Sequence, residues 1–370
     1  MMNQTTYSRL EAGLNYILNE KFKKIFLISG KNSFKDSGAR DRLKNILFKN
    51  ITHFYDFSPN PKIEDVTKGI KVFNSANPEL ILAIGGGTTL DMAKLIKGLA
   101  NSKNPKYDTS TNRINPKTTK IIAVPTTAGS GSESTPFAVV YINGTKYSLE
   151  NESLLPNGII LDHTLTQSLT PKQTAISGMD AFSQAIESYW SVNSTDESKR
   201  YAKQSILLIL DNLKEAVNNP NKNNRTKMLL AANLAGKAIA ISKTTACHSI
   251  SYPITSRFNV PHGHAVALTL GEVFEYNSQV QEEDYVDKRG PEYVRKTMSE
   301  LMSSLKVSSP QEAKEKIKKL MQDIDLETKL SVLGIDIGIV IKEGFNIERM
   351  KNNPRRINEE SLRRLLKNIK

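Results

Sequence analysis

The sequence contains little cysteine and no long apolar run. A single cysteine, Cys247, occurs in 370 residues, which excludes an internal disulfide framework and any zinc site built from several thiolates. No apolar run approaches the roughly 20 residues that a membrane-spanning helix needs, so we expect no membrane partner. Residues 1–6 lack the basic and apolar regions of a secretory signal, which favours a cytoplasmic protein.

Acidic residues are outnumbered by basic ones. The chain has 51 Lys and Arg against 38 Asp and Glu, a formal net charge of +13. Residues 351–370 contain seven basic and two acidic side chains, but no aromatic-rich basic stripe or nucleic-acid motif accompanies them. This pattern favours a solvated helix face over a nucleic-acid partner. A basic surface would also attract a small anionic substrate.

The first half of the chain alternates apolar runs with segments of helical periodicity. Such runs are typical of strands buried on both faces of a parallel sheet. We predict these strands at residues 24–29, 51–57, 80–84 and 120–124, a helix at 63–76 and a surface loop at 101–118. The pattern predicts an α/β dinucleotide-binding domain with a Rossmann-like parallel sheet over residues 1–163.

Strand-like runs nearly vanish after residue 164, and helix signals dominate. Ser194 and Ser309 each precede a Glu by three residues, as in a capping box, and Pro310 suits a first helical position. We therefore predict an all-α domain over residues 164–370.

Two loops of small residues follow predicted strands. Gly85-Gly86-Gly87-Thr88 precedes a helix predicted at 92–99, where glycines and free helix amides would admit a phosphate. Residues 125–133 form a second loop rich in hydroxyls. The first loop alone is equally consistent with an ordinary tight turn, but two such loops beside each other fit a nucleotide better.

The few histidines are concentrated. Of the five, His248, His262 and His264 fall within 17 residues, and Asp180 and Gln184 share one helix face at i and i+4. A carboxylate and two imidazoles are a plausible divalent-metal set with open positions for a substrate oxygen. The alternative is that these side chains only hydrogen-bond to one another.

The chain resembles the iron-containing (group III) alcohol dehydrogenases. Four motifs occur in that family's order, at residues 85–94, 125–133, 178–181 and 261–264. The resemblance implies the dehydroquinate synthase-like, iron alcohol dehydrogenase fold, with a Rossmann-like α/β domain, a helical domain and a cleft in which metal and nicotinamide meet. It also implies a homodimer or larger homo-oligomer.

Site residues follow from the same resemblance. The implied ligands of a divalent metal, Fe(II) first with Zn, Mn or Mg as alternatives, are Asp180, Gln184, His248 and His262. Tyr252, at i+4 from His248 on the same helix face, or a water beside His264 would deliver the proton. The implied contacts to NADPH or NADH are Gly30, Gly86, Gly87, Thr88, Asp91, Thr126, Thr127, Ser130, Ser132 and Lys146.

Three positions depart from the family pattern. Gln184 and Tyr252 stand where most members have histidines, and an amide oxygen is a poorer ligand than imidazole for a soft or borderline metal. Gly30 replaces an Asp that many NAD-preferring members have. Without that carboxylate, and with Lys31 beside it, we expect NADPH to be accepted.

Local strings at 184–191 and 243–268 are similar to those of the phosphonoacetaldehyde reductases. These enzymes of phosphonate biosynthesis reduce phosphonoacetaldehyde to 2-hydroxyethylphosphonate, by hydride transfer to a metal-polarised aldehyde. For the phosphonate we predict Lys243, expected one turn before His248 on one helix, and Arg257 near that helix's end.

The sequence is also consistent with two other enzyme classes. One is a group III dehydrogenase of an uncharged short-chain alcohol, diol or aldehyde. The other is a lyase related to dehydroquinate synthase, although the motifs at 178–180 and 261–263 fit the dehydrogenases better.

Overall fold

The computed structural model describes residues 4–44, 51–345 and 347–370. The chain divides into two units, Met1–Ser168 and Leu169–Lys370. The boundary predicted after residue 163 falls at the start of a short 3-10 helix, His163–Thr166, which lies in the first unit.

The first unit is built on a six-stranded parallel sheet with the order β1-β8-β5-β4-β2-β3. Its strands are β1 Thr5–Tyr7, β2 Ile25–Ser29, β3 Ile51–Phe54, β4 Leu80–Gly85, β5 Lys120–Pro125 and β8 Gly158–Ile160. Chain order reverses at β2, since β3 lies on one side of it and β4 on the other. Ligands of such sheets bind at the carboxyl ends of the strands beside this reversal.

Both faces of the sheet are apolar and covered. Phe26 and Ile81 belong to one buried cluster, and Ile25 and Leu82 belong to another. This confirms the predicted parallel sheet with helices on both sides. The helices of this unit are α1 Leu10–Asn19, α2 Ser33–Asp36, α3 Ala39–Lys44, α4 Ile63–Ala76, α5 Gly87–Leu99 and α6 Pro105–Ser110.

Two elements of the first unit correct the sequence-based prediction. The segment predicted as a loop at 101–118 contains α6, which begins with Pro105 after the cap Asn104. An antiparallel hairpin of β6 Phe137–Ile142 and β7 Thr145–Glu150 was not predicted at all. Its turn residues Asn143 and Gly144 have φ of 50° and 80°, as a two-residue type I′ turn requires.

The second unit is helical among its described residues, as predicted. Its helices are α7 Pro171–Trp190, α8 Asp196–Asn218, α9 Lys222–Ser242, α10 Ala246–Phe258, α11 His262–Ser278, α12 Pro291–Leu305, α13 Pro310–Asp323, α14 Ile337–Glu343, α15 Ile347–Met350 and α16 Glu359–Asn368. Among the residues that the structure describes, no helix is both long and apolar enough to cross a membrane.

Of the two helix caps predicted from serine residues in this unit, one is where it was predicted and the other lies one residue later. Ser309 caps α13 by accepting from the backbone N–H of Glu312 at 3.2 Å, as predicted. The capping box of α8 is Thr195 with Ser198, one residue later than the predicted pair that begins at Ser194. Serine at the third helical position replaces the expected Glu because its hydroxyl accepts from the Thr195 backbone N–H.

Candidate functional site

The two loops of small residues pack against each other at the carboxyl ends of β4 and β5. Helix α5 begins at Gly87, earlier than the predicted start at residue 92. A Cβ added at Gly85 would lie 2.3 Å from Thr89 Oγ1, and one at Gly87 would lie 2.8 Å from Ser130 Oγ. The loops therefore form a cradle that excludes larger side chains, and the first amides of α5 are suited to a phosphate.

Gly30 and Thr126 belong to the same end of the sheet. A Cβ at Gly30 would lie 3.5 Å from Thr89 Oγ1, so the end of β2 adjoins the β4 loop. The hydroxyl of Thr126 is buried and has no hydrogen-bond partner within the described ranges. A buried hydroxyl without a partner is costly, and a nucleotide's polar groups would satisfy it. These features fit a dinucleotide.

Asp91 and Ser132, both predicted as cofactor contacts, bond to each other. Asp91 Oδ1 accepts from Ser132 Oγ at 2.6 Å, and Oδ2 accepts from the Val139 backbone N–H at 3.0 Å. Lys94 is fully buried and donates to Ser132 Oγ and Thr135 Oγ1, and burial lowers its pKa to about 8. These bonds tie the second loop to α5, so they shape the cradle.

Three helices of the second unit bring together a candidate metal centre. Asp180 of α7, His248 of α10 and His262 of α11 each offer a ligand atom, and these atoms lie within 4.8 Å of one another. His248 Nε2 is 3.7 Å from Asp180 Oδ1. Asp180 and His248 are buried, and His262 is half-buried. One carboxylate and two imidazoles suit a divalent iron, zinc or manganese ion.

Two oxygen atoms at this centre lack partners. Asp180 Oδ1 and Gln184 Oε1 are buried and accept no hydrogen bond from the residues that the structure describes. Gln184 lies one turn after Asp180 on α7, as the sequence predicted. Since an unsatisfied buried oxygen costs about 1–3 kcal/mol, a cation that both oxygens contact would remove this cost. The residues present therefore fit a divalent metal ion.

Glu187 completes the polar face of α7 and was missed by the sequence analysis. Its carboxylate is fully buried and accepts from Nδ1 of His248. Burial alone would lower the pKa of His248, but the carboxylates of Glu187 and Asp180 raise this pKa to about 9. Asp180, Gln184 and Glu187 follow one another at i, i+4 and i+7, and this spacing was a signal for the third residue.

Gly263 sets the distance between α11 and α7. A Cβ added there would lie 2.1 Å from the carbonyl oxygen of Ile176 and 2.8 Å from Asp180 Cβ. Backbone of α7 thus occupies the space that any side chain at position 263 needs. The glycine allows the two helices to touch, and this contact places His262 beside Asp180.

Gly263→Ala is expected to separate these helices, lowering the unfolding free energy by about 1–3 kcal/mol or more and weakening metal binding. Differential scanning calorimetry and zinc titration of the purified variant measure both effects. Gly271→Ala on the same helix is the control, because its Cβ would lie no closer than 3.3 Å to Lys314. If Gly263→Ala kept wild-type stability and zinc affinity, the proposed role of this contact would be wrong.

Of the two predicted substrate residues, Arg257 lies near the end of α10, as predicted, but Lys243 is placed differently from the prediction. Lys243 does not share the helix of His248, because it caps the end of α9 and α10 begins only at Ala246. Its φ of 64° and ψ of 173° belong to a region essentially restricted to glycine. Arg257 is exposed and donates to Glu343 at 2.8 and 3.0 Å, contacts that do not support a role in anion binding.

The two candidate proton donors have different surroundings. Tyr252 is half-buried on α10, one turn after His248, as predicted. His264 is buried, and its Nε2 donates to the carbonyl oxygen of Glu327 at 2.7 Å. Burial lowers the pKa of His264, which favours the neutral ring. Nε2 of His264 is therefore used in a hydrogen bond within the protein.

Comparisons with known proteins agree with this arrangement. The family model of iron-containing alcohol dehydrogenases matches residues 8–163, and the C-terminal model of the Fe-containing alcohol dehydrogenase family matches residues 174–370. A phosphonoacetaldehyde reductase of Streptomyces viridochromogenes is 34% identical over 78% of this chain and 75% of its own. An NADPH-dependent butanol dehydrogenase of Clostridium saccharobutylicum is 27% identical over 96% of this chain and 94% of its own.

A solved structure is similar over the whole chain. Sulfoacetaldehyde reductase from Bifidobacterium kashiwanohense, in complex with NAD+, has a TM-score of 0.88 and 27% identity, covering 100% of this chain and 97% of its own. The chain therefore belongs to the iron-containing alcohol dehydrogenase family and is an NAD(P)-dependent oxidoreductase of alcohols or aldehydes.

Proposed function

We propose that this protein reduces phosphonoacetaldehyde to 2-hydroxyethylphosphonate with a reduced nicotinamide dinucleotide. The observation that carries the proposal is the 34% identity, over 78% of the chain, to a phosphonoacetaldehyde reductase. The sulfoacetaldehyde reductase supports it, because both names denote a two-carbon aldehyde bearing a strong acid group. A net charge of +13 favours encounter with such an anion.

The residues of the metal centre have different roles in the proposed reaction. Asp180, His248 and His262 would hold a divalent ion, which we propose to be Fe(II), with Gln184 Oε1 as a further ligand and Zn, Mn or Mg as alternatives. When bound, the ion supplies Lewis acidity toward the aldehyde carbonyl and the reduced nicotinamide supplies the hydride. The hydroxyl of Tyr252 gives a proton to the former aldehyde oxygen, which becomes the hydroxyl of the product, and Tyr252 regains its proton from solvent.

We assign the phosphonate contact to Lys243. Lys243 is half-buried and lies three residues before the helix of His248, whereas Arg257 is exposed at the surface. The unusual backbone of Lys243 supports this assignment, because strained conformations of non-glycine residues cluster at functional sites. An ammonium group forms charge-assisted hydrogen bonds with a phosphonate.

Product identification tests the proposal. The metal-loaded protein is incubated with phosphonoacetaldehyde and NADPH or NADH, and phosphorus NMR follows the phosphonate while absorbance follows the cofactor. We expect the signal of 2-hydroxyethylphosphonate to grow in equal amount to the cofactor oxidised. Cofactor oxidation without this product, or no turnover with either cofactor, would contradict the proposal.

NADPH is expected to be a substrate. Gly30 directly follows β2 and has no carboxylate that would repel a 2′-phosphate, and Lys31 is exposed beside it. Steady-state kinetics with both cofactors provide the measurement. Gly30→Asp is the matched variant, and it should raise the KM for NADPH more than that for NADH. Use of NADH but not of NADPH at any concentration would refute this expectation.

The second candidate is reduction of an uncharged short-chain aldehyde, or oxidation of the corresponding alcohol or diol. The 27% identity to a butanol dehydrogenase, over nearly the whole of both chains, favours it. Both candidate reactions would use the same metal centre and the same nucleotide cradle. They differ in whether the protein binds a charged group at the end of the substrate opposite the aldehyde.

A further inference from the structure

Glu187 of α7 makes several hydrogen bonds to the start of α10. Its Oε1 accepts from the backbone N–H groups of Thr245, Cys247 and His248 at 3.2, 2.8 and 3.3 Å, and from the Thr245 hydroxyl at 2.8 Å. The other oxygen, Oε2, pairs with Nδ1 of His248. Glu187 is 0% exposed, so no water replaces these bonds.

The Glu187 carboxylate determines which ring nitrogen of His248 carries the hydrogen when the other binds a metal. An ionised carboxylate can only accept hydrogen bonds, so Nδ1 must carry the hydrogen. The lone pair available to a metal is then that of Nε2, the atom that lies 3.7 Å from Asp180 Oδ1. Residues that bind the far nitrogen of a ligating histidine fix its tautomer and orientation.

We propose that Glu187 is a positioning residue that selects the metal-binding tautomer of His248 and fixes its ring toward Asp180. The inference rests on the proposed metal function of the Asp180, His248 and His262 cluster. The helix amides hold Oε1 in place, so only Oε2 is left for the ring. The Glu187 carboxylate therefore fixes the orientation of the His248 ring relative to the start of α10.

Glu187→Gln separates this role from a structural one. The three backbone N–H groups would keep the glutamine oxygen in the position of Oε1, which places the amide NH2 against Nδ1 of His248. Nδ1 must then accept, the hydrogen moves to Nε2, and the ring can no longer ligate through it. The helix amides remain satisfied, so the fold is retained while metal binding is weakened.

Zinc affinity of the whole protein, measured by competition with a chromophoric chelator, tests the inference. We expect Glu187→Gln to bind Zn²⁺ about 10- to 100-fold more weakly than wild type, while keeping the wild-type helical circular-dichroism spectrum in the metal-free state. Glu272→Gln is the matched control, a buried glutamate on α11 that contacts Lys314 and Asn368. It should bind Zn²⁺ as wild type does.

Equal zinc affinity of Glu187→Gln and wild type would overturn the inference. If the variant fails to fold, nitrogen-15 NMR of histidine-labelled, zinc-loaded wild type decides: a hydrogen on Nδ1 of His248 supports the inference, and coordination through Nδ1 overturns it. A wild-type protein that binds no divalent metal at all would instead refute the proposed metal function, and this inference would fall with it.

Discussion

His262→Ala should reduce the turnover number with an aldehyde by about a thousandfold or more. Lewis-acid stabilisation contributes several kcal/mol, and about 1.4 kcal/mol corresponds to a tenfold change in rate. The substitution leaves Asp180, His248 and the proposed ligand Gln184, with one imidazole in place of two. Metal content by elemental analysis and the rate of cofactor oxidation, measured on the same preparation, test this expectation.

Nucleotide binding should survive this substitution. The cradle of Gly85, Gly87 and Ser130 belongs to the first unit, whereas His262 belongs to the second. Dissociation constants for NADPH and NADH should therefore change less than twofold. His163→Ala, a substitution of a histidine outside the cluster, is the control and should keep both metal and activity. Full turnover by protein shown to be metal-free would refute the account of catalysis.

Lys243→Ala should raise the KM for phosphonoacetaldehyde by about 30-fold to several thousandfold. Loss of a well-placed charged contact in a partly buried site costs roughly 2–5 kcal/mol. Propanal, which has no charged group, should keep its KM within about twofold of the wild-type value, because it makes no such contact. Steady-state kinetics of both substrates provide the comparison.

Lys243→Gly is the matched variant that separates charge from backbone. Both variants remove the ammonium group, but only glycine adopts the φ of 64° and ψ of 173° without strain of about 1–3 kcal/mol. The glycine variant should therefore be the more stable of the two, with the same loss of anion recognition. Equal losses for propanal and phosphonoacetaldehyde would assign Lys243 to the fold instead. An unchanged KM for phosphonoacetaldehyde would remove it from the anion site.

The parallel sheet was predictable because its strands are buried on both faces. Continuous apolar runs such as Leu80–Gly85 carry that information locally. The edge strand Thr5–Tyr7 is short and only partly covered, so it has no such run. The hairpin was missed although Asn143-Gly144 is a strong turn signal. Only every second residue of β6 is buried, but all its residues are apolar or aromatic, so its sequence lacks the polar–apolar alternation that marks a half-covered strand.

The metal cluster was predictable only in part. Histidine spacing and the i, i+4 pair on α7 pointed to Asp180 and His248, but a positioning residue such as Glu187 is recognised by its bonds. The break between α9 and α10 at Lys243 could not be predicted, since no glycine or proline marks it. The backbone conformation of Lys243 depends on the packing of the surrounding helices, and the helix propensity of the local sequence does not describe that packing.

The most direct test compares two substrates on one preparation of the metal-loaded wild-type protein. The measurement is the ratio of kcat/KM for phosphonoacetaldehyde to that for propanal, with NADPH at saturation. A charged contact of about 2 kcal/mol or more predicts a ratio of at least about 30 in favour of the phosphonate. A ratio of one or less would contradict the account and identify a dehydrogenase of uncharged substrates.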